Sequence, residues 1–188
     1  MAANNKVTNL LFIFISLALS PNIILQVDAA DVSDEWCGRT YRKADCLSIV
    51  MADKRANLKT SPNGLATILR DRAVATAVDT SLKIATFLKK AIDKREVTTL
   101  RSCSADYFDA IDTLTTADFK VMDHKTYPTL VAVIDVGNDK ARDCEFSFRD
   151  PRSPIRSPIS AENERLREIC AITLQIINLV VCNSVSSC

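Results

Sequence analysis

Three aspartates in register, seven cysteines and a single histidine are the side chains of this sequence whose types and spacing could do chemistry. Asp106, Asp109 and Asp112 recur at intervals of three, so on a helix they lie nearer to one face than to an even scatter and form an acidic ridge. Carboxylates can serve as general acid and base, but glycoside hydrolysis needs a second carboxylate facing the first across a cleft, and these three share one strip. A nucleophile would need a base beside it. The one histidine, His124, stands in a polar segment, and three glycines in 188 residues supply no glycine-rich turn for an oxyanion or a phosphate. An enzyme is not expected. The ridge is then either a solvated face, the usual meaning of a charge run, or a surface that docks on another protein.

The cysteines speak of compartment. Met1 to Ala30 carries one basic residue, Lys6, then the apolar run Leu10 to Leu19, then Val27-Asp28-Ala29-Ala30 with small residues where a signal peptidase cuts. Ser20-Pro21-Asn22 interrupts the run too early for a membrane span, and no later segment qualifies. Residues 1–30 therefore read as a secretory leader and 31–188 as one domain of about 158 residues, long enough to bury a single core. All seven cysteines follow the leader, where disulfides form and persist, and the odd count leaves one thiol over. With one histidine and no close cysteine pair, neither a metal site nor a cofactor is expected. Without Lys6 and Asp28 the mature chain keeps 23 basic and 22 acidic side chains, dispersed among each other, so nucleic acid is not an expected partner either.

The elements that must position these groups are all helices. Asp31 and Ser33 are candidate caps of a short helix bearing Trp36 and Cys37, and a second short helix is expected over Ala44 to Lys54, so that Cys37 and Cys46 staple a hairpin. After a loop over 59–64 the first long helix is expected at about Leu65 to Asp93, with Val74, Val78, Ser81, Ala85, Leu88 and Ile92 as its buried seam. The second, at about Val97 to Lys120, buries Leu100, Cys103, Tyr107, Ala110, Leu114 and Ala117, and carries the acidic ridge beside that stripe. The third follows Thr126 with Tyr127, Leu130, Ile134, Gly137, Ala141, Cys144 and Phe148 on the same period, and Gly137 signals a close helix approach. Prolines make 149–158 a loop, and the fourth helix starts at Ser160 with Leu166, Ile169, Thr173, Ile176 and Val180 inward. The fold expected is all-α: an up-down-up-down four-helix bundle preceded by the stapled hairpin. Antiparallel second and third helices put Cys103 and Cys144 at one level, where a bridge would contribute about 3.9 kcal/mol in the chain-entropy account. Cys182 and Cys188 are a candidate third pair.

These residues resemble the plant invertase/pectin methylesterase inhibitor family. The resemblance runs through Cys37-x8-Cys46, the stretch from Cys103 through Tyr107 and Ala110 to Leu114, Ala117-Asp118-Phe119-Lys120, Asp143-Cys144-Glu145-x-x-Phe148 and Ser157-Pro158-Ile159-Ser160-x-Glu162-Asn163. It implies a secreted, non-catalytic inhibitor that complexes with a pectin methylesterase or, alternatively, an acid invertase, in the cell wall or apoplast, with the vacuole as the other location. It also favours Cys170 as the free thiol. Of the family's contact positions, Asp109 and Asp112 keep the acid, whereas Ala105, Thr126, Asp143 and Phe146 differ from the usual residue. Tyr127-Pro128-Thr129 stands where the invertase branch carries Pro-Lys-Phe. Asp109, Asp112, Thr126 and Asp143 are the resulting partner-binding candidates. Further alternatives are a family member without inhibitory activity, allergen-like, and a carrier holding a lipid or hormone inside the bundle.

Overall fold

A computed structural model describes residues 29–149 and 155–188, so most of the expected leader and the centre of the proline loop lie outside the described residues. Among the described residues six α-helices follow one another: α1 (Ala29–Gly38), α2 (Lys43–Ala52), α3 (Pro62–Leu88), α4 (Lys94–Thr115), α5 (Tyr127–Ser147) and α6 (Ser160–Cys182), with a 3-10 turn at Ala56–Thr60 before α3. The last four form the bundle, α3 packing on α4, α4 on α5, α5 on α6 and α6 back on α3, while α1 and α2 fold against its α3 end.

Side chains, rather than loss of apolar period, set the start of α3 and both ends of α4. Ser61 caps α3 by accepting from the Gly64 N–H at 3.2 Å, with Pro62 in the first turn. Gly64 is required there, since a Cβ would collide with the Leu58 carbonyl. Asp93, expected as the last residue of that helix, instead caps the next one, accepting from the N–H groups of Arg95 at 2.8 Å and Glu96 at 3.0 Å. Hence α3 stops at Leu88 and α4 begins at Lys94. The latter ends at Thr115, five residues before the expected Lys120, because Arg70 takes the terminal carbonyls: its guanidinium donates to the carbonyl oxygens of Thr115 at 3.2 Å and Ala117 at 2.9 Å. Ala117 and Phe119 are still buried, but from the connection that follows the helix. Asp31 and Ser33 lie inside α1, not at its cap, and α2 spans Lys43–Ala52 rather than 44–54.

The seam expected on α3 is displaced by one residue, a turn of about 100° about the helix axis. Leu65, Ile68, Leu69, Ala73, Ala77, Thr80 and Ile84 are buried, whereas Val78 is 39% and Ile92 97% exposed. Small residues occupy the axis because α3 lies between two neighbouring helices, and the larger Val74 and Leu88 fill its flanks. On α4 the buried set is Leu100, Cys103, Tyr107, Ala110 and Leu114; on α5 it is Leu130, Ile134, Gly137, Ala141 and Cys144. On α6 Leu166, Ile169, Thr173 and Ile176 are buried, while Val180 is half-buried. Disulfides join Cys37 to Cys46, Cys103 to Cys144 and Cys182 to Cys188, and Cys170 is a free thiol inside the core.

Candidate functional site

The face of interest lies where α4 meets α5. Tyr107 fixes its orientation: fully buried, it donates its phenol proton to Asn163 Oδ1 at 2.8 Å, and Asn163 Nδ2 in turn donates to Glu145 Oε2 at 2.8 Å. Burial pushes the Tyr107 phenol far above its ordinary range, so the ring stays a neutral donor. Burial also pushes the Glu145 carboxyl up, but hydrogen bonds from Asn163, Ser160, Ser157 and Arg149 outweigh it and hold the group below its ordinary value. This chain of bonds ties α4, α5 and α6 together. With Tyr107 pointed inward, its neighbours in the helix must point along the flank and outward.

The disulfide between Cys103 and Cys144, with Cα atoms 4.7 Å apart, pins α4 to α5 at one end of that flank. One turn further along, Lys140 reaches from α5 across to α4, its Nζ lying 2.9 Å from Asp109 Oδ2 and 3.5 Å from Asp106 Oδ1. Burial raises the half-buried Asp106 carboxyl above its ordinary value; Lys140 opposes the rise, and the charges of Asp143 and Asp109 add to it. Asp109 and Asp143 are exposed at 53% and 54% of their side chains. Asp112 is exposed and its carboxylate has no partner among the described residues. Asp106 and Asp109 thus share one ammonium group, the Asp143 charge acts on Asp106 from beside them, and Asp112 continues the acidic line one turn beyond.

Thr126 is not part of this group. It sits at the other end of α5, roughly 25 Å from Asp143 along the helix. Its hydroxyl is engaged locally, accepting from the Asp123 N–H at 3.0 Å and donating to the Val121 carbonyl at 3.1 Å. Two exposed rings flank the acids: Phe108 on α4, 70% exposed, and Phe146 on α5, over which the Arg149 guanidinium lies at 5.9 Å. Lys140 has no place among the sequence candidates. The signal was present, because Lys140 precedes Cys144 by four residues and so shares the side of α5 that the disulfide turns toward α4.

An ammonium among carboxylates on an open two-helix face has no nucleophile, no paired base and no enclosed cleft. Among the described residues no group of three His, Cys, Asp or Glu side chains is placed to hold a metal ion, and no helix is long and apolar enough to cross a membrane. Fold and face define a disulfide-braced helical protein suited to contact with another macromolecule. The plant invertase/pectin methylesterase inhibitor family model matches residues 31–176, and the chain belongs to that family, one of inhibitors and not of enzymes. A pectinesterase inhibitor of Actinidia deliciosa is 32% identical over 146 residues, 78% of this chain and 77% of that protein. The fold is shared with crystal structures of pectin methylesterase inhibitors from Arabidopsis. One, a mutant form, has a TM-score of 0.58 at 24% identity, over 76% of this chain and 93% of that one. Another, from Arabidopsis thaliana, has a TM-score of 0.54 at 21% identity, over 81% and 97%.

Proposed function

We propose that this chain is a secreted inhibitor that binds a pectin methylesterase and covers its active-site cleft. The observation that carries the reading is the 32% identity to a pectinesterase inhibitor across 77% of that protein, inside a family match spanning nearly the whole domain. The contact surface we assign is the α4–α5 face, with Asp109 and Asp112 central, Asp143 beside them and Thr126 at its far edge. Acids on a rigid pair of helices suit a partner with a basic rim, by charge complementarity. Residues 1–30 act as the leader, residues 31–188 form the mature domain, and the protein works in the cell wall or the vacuole.

Acid invertase is the second target, favoured by the family's double description. The test is to assay the mature protein against a plant pectin methylesterase and a plant acid invertase side by side. Inhibition of the methylesterase alone supports the main reading, inhibition of the invertase alone moves the assignment to that enzyme, and inhibition of neither moves it to a member without inhibitory activity. N-terminal sequencing of the extracellular protein should begin near residue 30; finding Met1 or Ala2 would contradict the leader.

A further inference from the structure

We infer that Lys140 is a built-in counter-ion that competes with the cationic partner for Asp109, and so sets how strongly the α4–α5 face attracts that partner. The inference rests on the docking reading of this face. Among the described residues Lys140 is the cation that Asp106 and Asp109 share, its Nζ 2.9 Å from Asp109 Oδ2 and 3.5 Å from Asp106 Oδ1. The neighbouring Arg142 pairs instead with Asp139 at 3.0 Å and Asp143 at 3.7 Å. Lys140 springs from the helix that the Cys103–Cys144 disulfide holds against α4, so its reach to Asp109 is fixed by the bundle and not by a mobile loop.

The consequence is an unequal division of labour between two acids that look equivalent in sequence. Asp112 has no partner among the described residues, and its charge acts on an approaching partner undiminished. The Asp109 charge is already answered by Lys140, and a partner cation must either displace that ammonium or accept a face whose charge is reduced by one. Long-range attraction depends on the summed charge of the face and governs association rate and its salt dependence. Lys140 therefore lowers the rate for a basic partner, most for the most basic one, which makes it a determinant of which partner docks.

The experiment measures association and dissociation kinetics at low and high salt for the wild-type chain, Lys140→Gln, Lys140→Arg, Asp109→Asn, Asp112→Asn and the Lys140→Gln/Asp109→Asn pair. Two cationic probes are used: a plant pectin methylesterase and a hexalysine peptide. Lys140→Gln should bind both probes about 3- to 10-fold faster at low salt, with a steeper salt dependence, while Lys140→Arg behaves as wild type. Asp109→Asn and Asp112→Asn should slow association alike, each removing one charge from the face, but Asp112→Asn should speed dissociation more, and the Asp109→Asn effect on dissociation should grow when Lys140 is already Gln. Equal effects of the two aspartates on dissociation in both backgrounds, or no change in Lys140→Gln with either probe, would overturn the inference. If the expected pattern appears with hexalysine while the wild-type chain fails to bind the methylesterase, the counter-ion role stands and the methylesterase reading falls.

Discussion

Tyr107 shows how one side chain fixes a surface it does not belong to. Its ring fills the bundle axis and its hydroxyl spends its proton on Asn163, so the acids on either side are aimed without loops or lids. Tyr107→Phe keeps the volume but leaves Asn163 Oδ1 without its buried donor, and should lower stability by about 1–3 kcal/mol in urea melts. Tyr107→Ala should cost about 3 kcal/mol or more. Glu145, at the end of the same chain of bonds, is held below its ordinary value of 4.5. A carboxyl with a lowered folded-state value adds stability above the ordinary carboxylate range and loses it as pH falls through the folded value. The melting temperature should therefore drop as pH falls through and below the ordinary carboxylate range, and Glu145→Gln should flatten part of that drop. Cys170 is inert by the same physics: burial, with the Asp135 charge added, pushes its thiol up to about 12.

At the scale of elements the close approach of α5 to its neighbours turns on Gly137, where an added Cβ would sit 2.9 Å from Cys170 Sγ on α6 and 2.9 Å from Leu114 Cδ1 on α4. Gly137→Ala gains helix propensity of about 1 kcal/mol but overpacks this contact, and we expect a net loss of about 1 kcal/mol. Cys170→Ala in the same chain should recover part of it, so a double-mutant cycle by urea denaturation should give a favourable coupling. The α4 and α5 stripes were legible in the sequence because charged residues such as Arg101, Asp106 and Asp109 stand between the apolar ones and leave one phase. The α3 stripe was not, because Ala73, Ala77 and Thr80 carry little apolar weight and the neighbouring Val74 and Val78 draw the eye to a flank. Asp93 reads equally well as the end of one helix or the cap of the next, and only the N–H groups of Arg95 and Glu96 decide it. Lys140 could not be assigned from α5 alone, since its role depends on which residues of α4 come opposite.

For the whole molecule, rigidity is the common thread: four antiparallel helices, a disulfide across the middle pair and a bonded core hold a charged face that needs no rearrangement to meet a partner. Such a face should tolerate substitution without loss of fold. Asp109→Asn with Asp112→Asn should leave melting within about 0.5 kcal/mol per site, because exposed positions seldom matter more to stability. Its effect belongs in the complex, where association should slow and salt dependence should fall. The most direct test of the account is the inhibition constant of the mature chain, and of this double variant, against a plant pectin methylesterase at low and high salt. The account predicts inhibition by the parent that weakens with salt, and a folded double variant that inhibits less well and responds less to salt. A parent that does not inhibit, or a double variant that inhibits as well as the parent at both salt levels, would contradict it.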